Sequence, residues 1–206
     1  MKRYSLSSIF TEAFRDNLGW EKAWTKRQPK KEYQIIIVGG GGHGLATAYY
    51  LAKNYNITDI AVIEKGWIGG GNTGRNTTII RSNYLQESSI GIYEKSRFLY
   101  ETLSQDLNYN IMFSPRGVLM LCQTEHELRA MKRTSHANRI NGVDTKMVTP
   151  EEVKEIVPII NIDGPRFPVL GALWQPRGGT ARHDAVAWGY ARKCSDYGID
   201  IIEQCE

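Results

Sequence analysis

Cysteine is scarce in this chain of 206 residues: Cys122, Cys194 and Cys205 are odd in number and form no C-x-x-C pair. That usage excludes a disulfide framework and a cysteine zinc site, and leaves buried free thiols as the expectation. Long apolar runs are missing as well. The longest stretch without Asp, Glu, Lys or Arg runs from Tyr33 to Ala52, but five glycines, Gln34 and His43 interrupt it, so it makes no membrane span. Nothing between Met1 and Lys31 forms the apolar centre of a secretory signal, and a cytoplasmic address is the expectation. Net charge is lacking over most of the chain. The formal +4 is concentrated before Ile35, where eight basic residues face four acidic ones; the remainder is balanced. A nucleic-acid groove spread over the folded body is thereby disfavoured, while a basic N-terminal arm carrying Trp20 and Trp24 is available to a partner.

What is present is ordinary globular usage, with 41% hydrophobic and 23% charged residues and a mean hydropathy of -0.40. No proline occurs between Pro29 and Pro115, and half of the twenty glycines fall in two clusters, Gly39 to Gly44 and Gly66 to Gly74. Tyr33 to Val38 is a β-branched apolar run of buried parallel-strand type that ends in Gly39-Gly40-Gly41-Gly42-His43-Gly44. Leu45 to Lys53 follows with helix formers and with Leu45, Ala48 and Ala52 on one stripe; Asp59 to Glu64 then reads as a second strand. Together they predict one βαβ unit.

Further along, Gln86 to Leu107 is predicted helical, with Leu99, Leu103 and Leu107 aligned. Ile111 to Phe113 and Val118 to Leu121 flank Ser114-Pro115-Arg116-Gly117, which suggests a hairpin outside the parallel sheet. Thr124 with Glu127, and Thr149 with Glu152, match the capping box, and Gly142 and Pro158 are the expected stops of the helices they open. His126 and His136 fall on a polar helix face. Val169 to Trp174 is strand-like, Asp184 is expected to cap a helix reaching Gly198, and Ile199 to Ile202 is a last strand.

The chemistry is concentrated in the glycine clusters. Gly39-x-Gly41-x-x-Gly44 follows a strand and opens a helix, the context in which glycines permit a tight turn, a close approach to pyrophosphate and close helix–strand packing. The helix N-terminus favours the phosphate charge, and the amide of His43 matters there more than its ring. Glu64 follows the last glycine at about the twenty-residue interval at which a carboxylate meets ribose hydroxyls. NAD and FAD both use such a unit. The second cluster, Gly66 to Asn76, leaves no room for the short return of a plain nicotinamide domain and suits a backbone wrapped along an extended cofactor. His183, before a helix, would ordinarily be a cap or packed side chain; a helix N-terminus favours its uncharged, nucleophilic form.

Several runs resemble the beta subunits of bacterial heterotetrameric sarcosine oxidases, within the FAD-dependent amine and D-amino-acid oxidoreductases. They are Tyr33 to Tyr50, Glu64-Lys65-Gly66-Trp67, Gly70-Gly71-Asn72, Arg75 to Tyr84 and Arg182-His183-Asp184, with Arg75 to Tyr84 the most specific. The resemblance runs from about Trp20 to the end. It implies an α/β fold: a Rossmann-like FAD-binding parallel sheet with inserted hairpin or antiparallel elements, stopping before the full substrate domain. Within it, 1–32 is a basic arm, 33–206 an incomplete FAD-binding oxidoreductase domain, and 110–175 a partial insertion or substrate region.

By the same resemblance, FAD is bound noncovalently, and FMN is attached through the ring of His183, with Arg182 beside it. Gly39, Gly41, Gly42, His43, Gly44, Glu64, Lys65, Asn72, Thr73, Arg75, Thr77 and Ile79 are the implied cofactor contacts. Sarcosine would be oxidised to an imine at FAD, electrons would pass to FMN and on to oxygen as hydrogen peroxide, and hydrolysis would give glycine and formaldehyde, the latter taken by tetrahydrofolate on the alpha subunit. The implied partners are the alpha, gamma and delta subunits and a small amine, with no nucleic acid, membrane or metal. Catalytic residues are expected beyond Glu206. A D-amino-acid or glycine oxidase or dehydrogenase, a noncatalytic flavin-binding or assembly module, and a nicotinamide dehydrogenase are the alternatives.

Overall fold

The computed structural model describes residues 5–16, 18–20 and 27–206. Trp24 lies outside them. Among the described residues, three small sheets organise the fold. The first is parallel. Its strand β1, Ile35–Val38, pairs with β2, Ile60–Glu64, which pairs with β8, Asp200–Glu203. The connection between β1 and β2 is α2, Gly42–Tyr55, closed by Asn56 in the left-handed region. Leu45, Ala48, Tyr49 and Ala52 form the buried stripe of α2. They meet Ala187, Tyr190, Ala191 and Cys194 of α6, His183–Asp196, in the main core. Alanines on both partners let the two helices approach closely, while Tyr49 and Tyr190 fill the remainder with rings 5.4 Å apart.

Burial differs along this sheet. Ile60, Ala61 and Val62 of β2 are all buried, as a central parallel strand requires. β1 was expected to match it and does not: Ile36 and Val38 are 58% and 82% exposed, while Ile35 and Ile37 pack on the core. As the edge strand of the three, β1 has one face on α2 and one open to solvent.

The other two sheets are antiparallel. β3, Ile79–Ile80, pairs with β7, Gly179–Thr180. β4, Val118–Cys122, and β5, Lys146–Val148, flank β6, Gly171–Gln175. The expected hairpin between 111–113 and 118–121 is absent. Ile111 to Phe113 forms no strand, Ser114 bridges Thr180 instead, and β4 finds its partner about fifty residues later in β6. The turn composition of Ser114 to Gly117 forms no hairpin reversal here, and the exchange of hydrogen bonds goes to β7: Ser114 N donates to Thr180 O at 2.8 Å.

The helices α4, Glu125–Ile140, and α5, Pro150–Ile156, start on complete capping boxes, with Thr124 and Thr149 each exchanging bonds with the glutamate three positions on. α3, Glu87–Leu107, buries Leu103 and Leu107, together with Arg97. Arg97 is held by Glu94 and, at 2.6 Å, by Glu101. Ser82 donates to Glu94 at 2.5 Å and accepts from Gln175 at 2.6 Å, which ties α3 to β6.

Among the described residues no helix is long and apolar enough to cross a membrane. Of the cysteines, Cys122 and Cys194 are buried as expected, but Cys205 is exposed, because the chain has left β8 before reaching it.

Candidate functional site

The end of β1 and the start of α2 share one turn. Gly39 has φ +107, a left-handed backbone that side chains resist, and its amide donates to Ile63 O at 2.8 Å, tying the turn to β2. Gly44 has a different need: a Cβ there would lie 2.0 Å from Gly39 O, so the helix can leave the strand at this angle only with glycine. α2 begins without a side-chain cap on Gly41, which leaves the positive end of the helix turned to whatever lies before it.

The second glycine cluster folds onto the first. Gly69 N donates to Gly40 O at 3.0 Å, and Gly42 N donates to Thr73 Oγ1 at 2.9 Å, Thr73 sitting in a 3-10 turn over Asn72–Arg75. Glu64 closes the arrangement. Its Oε2 accepts from Gly40 N and its Oε1 from Gly66 N, both at 2.8 Å, so one carboxylate joins the two glycine loops. Each oxygen retains further acceptor capacity.

These elements enclose a cleft of about 870 Å³ at the carboxyl end of the parallel strands, within the range of small-molecule sites. Of the residues singled out in the sequence, Gly39, Gly41, Gly42, His43, Gly44, Glu64, Lys65, Asn72, Thr73 and Arg75 line it. Thr77, Ile79, Arg182 and His183 are not among its lining residues. Ile79 is in β3 opposite Thr180, and Thr78, the residue before it, holds φ +62. Asn76 steadies that backbone by accepting from Thr78 N at 2.7 Å.

Sequence reasoning missed Val38, Ile63, Trp67, Cys205 and Glu206 as cleft residues. The last two arrive because Cys205 N donates to Glu64 O at 3.0 Å beyond the end of β8, a pairing that local composition does not encode. Trp67 carried a signal: it lies inside the second glycine cluster, three residues past Glu64, and its ring stands where a Cβ on Gly70 would come within 2.7 Å.

His183 opens α6, so Asp184 is inside the helix rather than its cap; the cap position is Arg182. Asp184 is instead engaged by Arg182 Nε at 2.8 Å, and that guanidinium holds its carboxyl down at about 2. Nδ1 of His183 is buried and lacks a hydrogen-bond partner among the described residues. No cluster of His, Cys, Asp or Glu suited to a metal occurs among them.

A parallel βαβ unit with a glycine turn, a helix end that opens on the cleft and a carboxylate at the tip of the second strand defines a dinucleotide-binding α/β domain. Residues 34–206 match the FAD dependent oxidoreductase family, and the chain belongs to it. A protein named sarcosine oxidase subunit beta from Rhodobacter capsulatus is 66% identical over 206 residues, all of this chain and 50% of that protein. The protein of that name from Rhizobium meliloti is 52% identical over 204 residues, 99% of this chain and 49% of its own. The chain thus spans about half the length of the curated relatives it matches. Among solved structures, L-proline dehydrogenase from P. horikoshii superposes with a TM-score of 0.78 at 32% identity, covering 86% of this chain and 46% of that one.

Proposed function

We propose that the chain is the amino-terminal, flavin-binding portion of the beta subunit of a heterotetrameric sarcosine oxidase. The observation that carries this reading is the cleft itself, whose two glycine loops are joined by Glu64, in a chain 66% identical to a protein of that name. The residues fit FAD. Gly44 admits no side chain, the α2 amides stand at the cleft with no side-chain cap from Gly41, and the lone pairs left on Glu64 suit the two hydroxyls of an adenine ribose. Bound there, FAD supplies the two-electron acceptor for amine oxidation. Thr73 and Gly42 hold the loop against the helix end, and Lys65, Asn72 and Arg75 offer donors along the same wall.

The buried Nδ1 of His183, without a partner, is the feature that fits a covalently held FMN, with Arg182 next to it in the chain. The His183 ring nitrogen would be the group that holds such a flavin, and a nitrogen without a protein hydrogen bond is available for that attachment. In this reading sarcosine loses two electrons and two protons to give an imine, water converts the imine to glycine and formaldehyde or its folate adduct, and oxygen takes the electrons as hydrogen peroxide. The segment 110–175, which holds the β4–β6–β5 sheet, contributes to the substrate region, and alpha, gamma and delta subunits complete the assembly.

The test is an absorption spectrum of the subunit co-expressed with its partners, before and after acid precipitation, with peroxide release from sarcosine measured alongside. His183→Ala is expected to keep FAD and lose all acid-stable flavin. Undiminished acid-stable flavin removes His183 from the site, and a colourless protein removes the whole reading.

A further inference from the structure

Trp67 is the largest side chain on the wall of the cleft, and it is 68% exposed. A single exposed aromatic is ordinary on a protein surface, but this one is held in a fixed seat. Trp67 O accepts from Gly70 N at 2.9 Å, closing a turn in which Gly69 takes φ +72. The indole lies against Gly70, where a Cβ would come within 2.7 Å of its Nε1 and 2.8 Å of its Cε2, so any side chain at that position would displace the ring. The two residues inside the turn are fastened to other parts of the chain. Ile68 N donates to Glu203 Oε1 at 2.8 Å and its side chain enters the main core, while Gly69 N donates to Gly40 O. Anchors on β8 and on the first glycine loop thus fix a turn that presents an aromatic ring to the cleft.

The neighbours of that ring narrow what it can meet. Glu64, three residues before Trp67, closes β2 and keeps lone pairs suited to a ribose. Cys205 N donates to Glu64 O, which brings Cys205 and Glu206 to the same carboxylate. In a dinucleotide the ribose carries the phosphate on one side and the base on the other, so a ribose held at Glu64 puts its base among the residues that border Glu64. Trp67 and His43 are the aromatic side chains among the lining residues, and His43 belongs to the glycine turn that suits the phosphates.

We propose that Trp67 is the stacking partner of the adenine of FAD, the side chain that holds the base while Glu64 holds its ribose. The proposal rests on the reading of the cleft as an FAD site and adds the residue that recognises the adenine half. Stacking suits a ring presented in this way, since a purine offers a broad π-face and needs no hydrogen bond to an indole. The isoalloxazine of FAD is aromatic as well. ADP, which has the base, ribose and phosphates without the flavin, separates the two.

The full-length subunit, assembled with its partners and freed of noncovalent FAD, provides the test, with dissociation constants for FAD and for ADP read by calorimetry. Trp67→Ala is expected to raise both constants about tenfold, as for one base stacked on one aromatic side chain. Trp67→Phe, which keeps a ring, should stay within about threefold of the wild type. The unfolding temperature of the cofactor-free protein should be the same in all three, because the indole is mostly in water before the base arrives. Unchanged constants in Trp67→Ala overturn the proposal. A loss confined to FAD assigns the ring to the flavin, and a loss that Phe fails to restore assigns the effect to the indole Nε1; either overturns it. So does a fall in unfolding temperature that accompanies the weaker binding, which marks a structural role, or weaker subunit assembly with unaltered constants, which gives the ring to a partner. Tenfold losses in an assembly that releases no peroxide from sarcosine leave the stacking standing and remove the substrate reading. A wild type that binds neither FAD nor ADP removes the cofactor reading and the stacking with it.

Discussion

Glu64 shows how much one side chain can carry. Its two oxygens each accept a backbone amide from a different glycine loop, so the carboxylate that would meet a ribose also sets the distance between the loops. Removing it leaves two amides without their acceptor, a loss of about 1–3 kcal/mol each when such groups are kept from water. Glu64→Ala is therefore expected to weaken FAD retention at least tenfold, measured as the dissociation constant of reconstituted apoprotein; an unchanged constant would remove the carboxylate from the site. Gly44→Ala should act differently, because its Cβ meets backbone rather than a movable side chain. We expect a loss of about 3 kcal/mol or more in denaturant unfolding, with insoluble expression as the extreme. The glycine spacing and Glu64 were legible in the sequence because their chemistry is local. The double duty of Glu64 was not, since the amide of Gly66 reaches it only after the loop has folded back.

At the level of elements, the parallel unit followed from hydrophobic period and glycine placement, and both capping boxes formed where Thr124 and Thr149 signalled them. Strand partnership was the failure. β4 pairs with β6, not with the segment before it, because Ala172 and Leu173 offer a fully buried surface and Ile111 to Phe113 packs elsewhere. The link between α3 and β6 also escaped notice, since no local signal marks a buried arginine. Arg97 holds the Glu94 carboxyl below its usual range, with a further contribution from the Ser82 hydroxyl and with burial opposing both. A depressed carboxylate stabilises the fold above its unfolded value near 4.5 and loses that contribution as pH falls through the folded value. The urea midpoint of the wild type should thus decline below about pH 4.5, and Glu94→Gln should flatten part of that decline while lowering stability at neutral pH by about 1–3 kcal/mol. Parallel profiles for the two proteins would show that the pair contributes nothing. Arg97→Ala, which strands Glu94 while Glu101 keeps Arg177 at 2.8 Å, should cost about 1–3 kcal/mol by the same measurement.

On the scale of the whole molecule, one face of β1 remains open while every residue of β2 from Ile60 to Val62 is buried. Ile36 on that face is expected to bind a hydrophobic dye such as ANS. Ile36→Thr should reduce the dye signal and shift stability by no more than about 0.5 kcal/mol; a larger loss would mean that the side chain is packed. Residues 27–33 are held at the amino ends of β2 and β8 while the cleft opens at the carboxyl ends of the strands, a separation that sequence order gives no reason to expect. The sequence by itself determined the glycine turn, the helix behind it and both capping boxes, because each depends on residues within about twenty positions of one another. Only the tertiary structure decided which strands pair, that Cys205 and Glu206 reach the cleft, that His183 keeps a buried nitrogen without a partner, and that α1, Leu6–Ala13, buries none of its residues. Those outcomes depend on contacts between segments far apart in the chain, whose energies exist only once a shared core has brought them together.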